Sequence, residues 1–226
     1  SPSRCNRTAH ADWINVMDID FLRKVSLFKG LNEEGLKALA ELCFTREFAK
    51  EGVIILAEEE GDALFIIEEG QVKVCISSEE GREVILSLLG PGAVFGELAL
   101  LDGKLRSANV IATDDTSLVM LRRSDFQQLI YKTPQIAMAL LAELAGRLRR
   151  TDRQIEGLAL LDVTSRISET LLQLADDQGK DTAEGIAIDS RPTHQELANM
   201  SGTTRETVSR ALKRLEDQGY ISCRGR

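Results

Sequence analysis

The run THQELANMSGTTRETVSRALKRL, Thr193 to Leu215, decides how the C-terminal part of the chain folds. Thr193 stands before a short apolar-periodic stretch and Glu196 follows three residues later, the spacing of a capping box, so a helix starts here. Leu197 and Ala198 supply its buried face. Gly202 then falls where a tight turn needs a permissive backbone. Thr204 caps a second helix, with Val208, Ala211, Leu212 and Leu215 as its buried stripe and Arg205, Glu206, Ser209, Arg210 and Lys213 on the remaining faces. A short helix, a glycine turn and a threonine-capped basic helix in this order predict a helix-turn-helix whose second helix enters the DNA major groove. The competing explanation is a surface helix hairpin with scattered charges, and the order of caps and turn argues against it.

The side chains suit that placement. Arg205 can donate two hydrogen bonds to guanine O6 and N7, and Glu206 can accept one from cytosine N4. Arg210, about one and a half turns later, reaches a second base or a phosphate. Thr193, His194, Gln195, Ser201, Thr203 and Thr207 offer short polar groups for phosphates, and Thr204 and Ser209 complete the DNA-facing set. The net charge of −8 opposes this reading until it is divided along the chain. Residues 190–226 hold seven Lys/Arg against four Asp/Glu, a balance of +3, and the remainder carries −11. A basic reading head on an acidic body is compatible with local phosphate contact.

Upstream, the texture divides the chain further. Residues Asp18 to Phe44 read as helical with a break at Gly30. From about Phe48 to Leu121, short apolar runs (Val53–Leu56, Leu64–Ile67, Val72–Ile76, Val84–Leu89, Ala108–Ala112 and Ser117–Leu121) alternate with glycine-marked turns, which predicts an antiparallel barrel or sandwich. A long helix follows from Pro134 to about Leu161. Leu141, Leu144, Leu148, Thr151, Ile155 and Leu158 advance along it in steps of three and four, a heptad seam. Packing against the chain's own barrel competes with pairing to a second copy, and the charged residues on the other faces favour the second copy. Asp162 caps a further helix, Val163 to Ala175, followed by a loop from Asp176 to Gly185, a short strand at Ile186–Ile188 and a terminal strand after Gly219. The chain stops at Arg224-Gly225-Arg226, where a second wing strand is expected.

Composition removes several classes. No apolar run approaches the roughly 18 residues of a membrane span, and the first dozen residues lack the apolar core of a secretory signal. Cys5, Cys43, Cys75 and Cys223 are scattered, as expected of reduced thiols in a cytoplasmic protein. With only His10 and His194, a multi-histidine metal site is excluded, and with it most metalloenzymes and a metal-dependent barrel enzyme. No metal, haem or iron–sulfur cluster is expected, and the chain does not read as an enzyme.

The segment FGELALLDGKLRSA, Phe95 to Ala108, has chemistry of its own. Gly96 beside an exposed carboxylate, Glu97, lets backbone amides approach a ligand. Arg106 and the Ser107 hydroxyl suit one anionic group such as a phosphodiester, and Glu97 suits a sugar hydroxyl. A Glu–Arg ion pair on a barrel loop explains the same residues equally well.

Two of these stretches resemble a known family. GTTRETVSRAL, Gly202 to Leu212, resembles the recognition helix of the cyclic AMP receptor protein/FNR family of bacterial transcription regulators, and LLDVTSRI, Leu160 to Ile167, is similar to that family's hinge. The resemblance covers nearly the whole chain. It implies an α+β protein: a flexible segment 1–17, a cyclic-nucleotide-binding β-roll of jelly-roll type over 18–133, a dimerisation helix over 134–161, and a winged helix-turn-helix over 162–226 whose outer wing is truncated. It implies that Arg205, Glu206 and Arg210 read a TGTGA-like half-site in double-stranded DNA. FGELAL with RSA resembles the family's phosphate-binding cassette, so Arg106 and Ser107 would hold a cyclic phosphate, Glu97 the ribose 2′-hydroxyl, and the Gly96 and Leu98 backbone the remainder. Thr151 matches the family's base-contacting threonine, with Asp152 where relatives carry Ser or Asn. Leu105 replaces the cassette's usual proline, and His194 replaces a basic residue. The implied ligand is cAMP, with cGMP, a cyclic dinucleotide or no ligand as alternatives. The implied partners are a second copy of the chain, through Leu141, Leu144, Leu148, Ile155 and Leu158, and RNA polymerase. A regulatory subunit acting on a protein partner is the remote alternative.

Overall fold

The computed structural model describes residues 17–223. The expected flexible segment up to residue 16, with Cys5 and His10, and the last three residues lie outside them. The described chain divides into two units. One comprises residues up to Val72 and Leu89–Leu140, and the other comprises Lys73–Leu88 and Leu141 onward.

The first unit opens with helix α1 (Ile19–Lys24), capped by Asp18, and helix α2 (Glu33–Leu42), capped by Asn32 through a 2.9 Å bond to the Gly35 amide. Leu22, Leu36 and Leu39 point into the core. The chain becomes strand at Cys43, not at Phe48 as the helical reading of residues 18–44 expected: β1 is Cys43–Phe48. Its only completely buried residue is Cys43, so the strand carries little apolar signal of its own. Strands β2 (Val53–Ile55), β3 (Ala63–Glu69), β6 (Val94–Phe95), β7 (Asn109–Ala112) and β8 (Thr116–Arg122) follow, with helix α3 (Glu97–Asp102) after β6 and helix α4 (Arg123–Lys132) after β8. One antiparallel sheet has the order β1-β8-β3-β6. β8 is central, pairing Met120 with Phe44 on one side and with Phe65 on the other. Six of its seven residues are buried, which is why it reads as a continuous apolar run. Leu64, Ile66, Ile67, Leu118, Leu121 and Phe126 form the fully buried centre.

In the first unit β2 also pairs antiparallel with β7, and the second unit carries the hairpin of β4 (Val72–Ser77) and β5 (Glu83–Leu89). Lys73 Nζ bonds both Glu83 carboxylate oxygens at 2.8 Å across that hairpin.

Helix α5 spans Pro134–Leu160, one residue short of the expected end. Ile136 and Leu140 in its first turns are buried. Further along, Leu141, Leu148, Ile155 and Leu158 are exposed and Leu144 is half-buried, so this chain does not itself cover the heptad seam. Helix α6 (Val163–Gln178) starts on the Asp162 cap, whose carboxylate accepts from the Ser165 amide at 2.9 Å. It runs three residues past the expected Ala175. The expected 176–185 loop contains strand β9 (Lys180–Thr182), paired with β10 (Gly185–Ala187). Helices α7 (His194–Ser201) and α8 (Arg205–Asp217) complete a three-helix head.

Among the described residues, the strand expected after Gly219 does not form. Gly219 takes φ +76° and the Gly219 and Tyr220 amides bond the carbonyls of Glu216 and Leu215 at 2.9 and 3.0 Å. That 5→2 and 6→1 pair is a Schellman cap, so these residues close α8 instead of starting a wing.

Candidate functional site

The two helices of the head are built as local chemistry dictates. Thr193 Oγ1 accepts from the Glu196 amide at 3.2 Å, and Glu196 Oε2 accepts from the Thr193 amide at 2.7 Å, a complete capping box. Gly202 sits at φ +62°, and its own amide and that of Thr203 both bond the Ala198 carbonyl, ending α7. Thr204 caps α8 through the Thr207 amide at 3.3 Å. Leu197, Ala198, Val208, Ala211 and Leu212 are buried between the helices.

At 3.6 residues per turn, Arg205, Ser209, Lys213, Glu206 and Arg210 fall within roughly 140° of arc, opposite the buried stripe. Arg205, Glu206 and Arg210 are exposed. The Glu206 carboxyl lies below its ordinary value. Its own backbone amide contributes most, then the Thr204 hydroxyl, with Arg205 and Arg210 helping. It is therefore a carboxylate, an acceptor, at neutral pH. Arg210 donates to Thr207 Oγ1 at 3.3 Å. His194 on α7 lies 2.8 Å from Ser209 Oγ on α8, through Nδ1. Gln195 donates to Asn199 at 2.9 Å.

Ser201 departs from the expected set. It is 3% exposed, its hydroxyl lies 3.0 Å from Thr170 Oγ1 on α6, and its carbonyl accepts from Arg166 Nε at 3.0 Å. This places it in the head's core, away from solvent. The hydroxyls of Thr193 and Thr204 are likewise engaged in capping.

In the cassette, Gly96 adopts φ +81° and leads into α3. Arg106 is 7% exposed and donates to the carbonyls of Gly96 and Ala63, the latter at 2.8 Å. Its guanidinium lies 5.7 Å from the Phe65 ring centroid. A Cβ on Gly61 would come within 2.8 Å of Arg106 Cζ, and one on Gly96 within 2.8 Å of Nη1, so two glycines make room for this side chain. The backbone of Arg106 is tied to Glu58 and Glu59 at 2.9 and 2.8 Å. Burial lowers the guanidinium's proton affinity, Asp62 opposes that, Arg123 adds to it, and Glu97 opposes it. Glu97 itself is 1% exposed, not the exposed carboxylate expected. Its place at the start of α3, with Ala99 and Leu100 also buried, turns the first turn inward. Ser107 and Leu98 are exposed.

An arginine has five N–H donors. Arg106 gives two to protein carbonyls, which fix the plane of the group and leave three further N–H donors on the guanidinium. Gly61, Ala63 and Phe65 were not legible as part of this site, because a carbonyl or a missing Cβ thirty or more residues away leaves no local mark. A cavity of about 870 Å3 shares Gly61, Ala63 and Leu105 with this region and is otherwise lined by groups such as Arg46 and Arg122; Arg106 does not line it. Thr151 and Asp152 are exposed on α5, with the Thr151 hydroxyl bonded to the Arg147 carbonyl at 3.1 Å. Among the described residues no helix is long and apolar enough to cross a membrane, and no cluster of His, Cys, Asp or Glu is placed to hold a metal ion.

The cyclic nucleotide-binding domain family matches residues 45–133, and the Crp-like helix-turn-helix domain family matches residues 165–226. The chain is 40% identical over 186 residues to the cAMP-activated global transcriptional regulator CRP of Pasteurella multocida, covering 81% of this chain and 88% of that one. The chain belongs to the CRP/FNR family of bacterial transcription regulators.

Solved structures of CRP/FNR-type folds agree with the architecture. The c-di-GMP-responsive global regulator CLP of Xanthomonas campestris matches with a TM-score of 0.69 at 25% identity, covering 86% of this chain and 96% of that one. FixK2 of Bradyrhizobium japonicum matches with a TM-score of 0.72 at 26% identity, covering 81% and 89%. This CRP/FNR member is thus a cyclic-nucleotide-responsive transcription regulator of mixed α+β structure, with a β-sandwich sensor, a long helix and a DNA-binding helix-turn-helix.

Proposed function

We propose that the chain acts as a homodimer, binds cAMP in the cassette, and reads a TGTGA-like palindrome with Arg205, Glu206 and Arg210. The observation that carries the ligand reading is Arg106, whose guanidinium is held by two carbonyls, followed in sequence by the exposed Ser107. A cyclic phosphate supplies the anionic oxygens this arrangement is built to bind. Thr151 and Asp152 take the base. In the DNA reading, His194, Gln195, Thr203 and Thr207 contact phosphates around the base-reading helix, and Ser209 positions His194. The exposed seam on α5 pairs with a second copy, which sets two recognition helices about 34 Å apart on the duplex. RNA polymerase is the further partner of the bound dimer, and the cytoplasm its compartment.

Calorimetry with cAMP, cGMP and a cyclic dinucleotide on wild type, Arg106→Ala and Ser107→Ala tests the pocket. Wild type gives heat with cAMP, and both variants lose most of it; equal heats in all three proteins overturn the assignment. A dinucleotide response in place of the cAMP response shifts the reading toward that of the Xanthomonas relative. On DNA, Arg205→Ala loses the preference for a guanine-containing half-site by about 1–3 kcal/mol, the worth of a bidentate contact. Equal weakening on every sequence overturns the base-reading role.

A further inference from the structure

His194 Nδ1 and Ser209 Oγ are 2.8 Å apart, and Ser209 Oγ also donates to the carbonyl of Arg205, one turn back, at 3.0 Å. A serine hydroxyl has one proton. That proton can go to the Arg205 carbonyl or to Nδ1. On the Arg205 carbonyl it leaves the oxygen able only to accept from His194, and the ring then carries its proton on Nδ1. A neutral imidazole has a single N–H, which leaves Nε2 a bare acceptor. A phosphodiester oxygen is also only an acceptor, so a neutral His194 held in this way repels the phosphate it faces.

We infer that His194 contacts the DNA backbone only as imidazolium, and that Ser209 imposes this by fixing the tautomer, so that each recognition head takes up one proton on binding DNA. The inference rests on the docking mode proposed above. His194 stands at the first position of α7, next to its cap, and Ser209 lies in the exposed arc of α8 with Arg205 and Lys213 one turn to either side. The pair therefore ties the phosphate-facing end of α7 to the helix whose first residue reads a base.

The charged groups on the elements packed around His194 are Glu196 on α7; Arg205, Glu206, Arg210, Lys213, Arg214, Glu216 and Asp217 on α8; and Arg166, Glu169, Asp176 and Asp177 on α6. Glu83, paired with Lys73, also accepts from Asn199 on α7. Glu196 is engaged with Thr193 and Arg166 with the Ser201 carbonyl. Carboxylates ordinarily change charge below pH 6 and arginine and lysine above pH 9, whereas histidine does so between about pH 5 and 8. A pH-dependence of DNA affinity across neutrality therefore reports the imidazole. Proton uptake fixes the sign: affinity falls as pH rises.

The test is fluorescence anisotropy on a TGTGA-type duplex with saturating cAMP, at constant ionic strength, from about pH 5 to 8, the range in which histidine loses its charge. Wild-type affinity falls with pH, approaching tenfold per pH unit per head on the alkaline side. His194→Gln and His194→Arg give flat profiles. Ser209→Ala frees the neutral ring to place its one proton on Nε2, so its profile also flattens, and Ser209→Thr restores the wild-type slope. A flat wild-type profile, or a Ser209→Ala profile as steep as wild type, overturns the inference. Absence of DNA binding at every pH overturns the docking mode beneath it, a separate result from binding without pH dependence.

Discussion

Replacing Ser201 by alanine separates two roles for one hydroxyl. Its position in the turn of the helix-turn-helix marks it as a phosphate contact, whereas the structure buries it at 3% exposure against Thr170. Thr170 Oγ1 already donates its only proton to the Arg166 carbonyl at 2.9 Å, so Ser201 must be the donor in the 3.0 Å pair. Deleting that donor leaves no buried N–H or O–H without an acceptor, and the loss is one ordinary hydrogen bond, about 1 kcal/mol. For a unit the size of the helical head that is a fall of about 4–8 °C in its unfolding midpoint. DNA binding gives the contrast. A lost hydroxyl–phosphate hydrogen bond weakens binding by about 1 kcal/mol per head, and so by roughly thirtyfold for a two-headed complex. Anisotropy titrations at one KCl concentration, beside thermal melts, distinguish the outcomes. The structure requires a lower midpoint and an unchanged affinity. A weaker affinity with an unchanged midpoint would refute the buried placement.

Other consequences are as direct. The Glu83 carboxyl would be raised by burial, but the hydrogen bond and charge of Lys73, with Cys75 and Asn199, bring it below its ordinary 4.5. A depressed carboxylate stabilises the fold above its unfolded value and ceases to do so as pH falls through the folded one. The urea-midpoint gap between wild type and Glu83→Gln therefore holds above about pH 5 and shrinks as the pH falls below 4.5; a gap that widens there contradicts the Lys73 pairing. Burial, then the nearby Glu83 charge, pushes the Cys75 thiol up to about 11. Burial, then Asp125, pushes the Cys43 thiol up to about 12. Site-resolved mass spectrometry after iodoacetamide at pH 8 should find exposed Cys223 alkylated before either of them, and early labelling of Cys75 would show its burial to be wrong. Gly70→Ala, at φ +87° with the new Cβ 2.5 Å from the Asp115 carbonyl, costs about 2 kcal/mol or more, whereas Gly81→Ala, at φ +78° in open space, costs about 1 kcal/mol. Equal denaturation midpoints for the two variants would deny the close approach at Gly70.

The parts of this molecule that sequence disclosed are those whose physics is local. Thr193 with Glu196, Thr204, Asp162 and Gly202 lie within a few residues of the amides and carbonyls they satisfy, so the head's helices were legible almost to their ends. β1 was not, because five of its six residues are less than fully buried and its partner β8 lies some seventy residues on. Helices α3 and α4 were passed over, the first because six residues carry too short a period and the second because Arg123–Lys132 is mostly polar. The cassette's residue types were readable, but the inward turn of Glu97 and the carbonyl clamp on Arg106 depend on Ala63 and Gly61, which only the folded sheet brings near. Ser201 and Gly219 show the converse: residue types suited to phosphate contact and to a wing turn are claimed by packing and by a helix cap.

The uncovered stripe on α5 makes dilution a variable in any measurement on this protein. Leu141, Leu148, Ile155 and Leu158 are 58%, 63%, 60% and 60% exposed. Eight such side chains in a pair of protomers, each worth about 1.5–3 kcal/mol when fully hidden, contribute roughly 7–14 kcal/mol over the fraction still accessible. Losing the independent motion of two bodies costs about 4–15 kcal/mol, so the balance lies within reach of ordinary laboratory concentrations. Binding curves started from dilute stock would then be sigmoidal in chain concentration, and a preparation would regain apparent affinity simply by being concentrated.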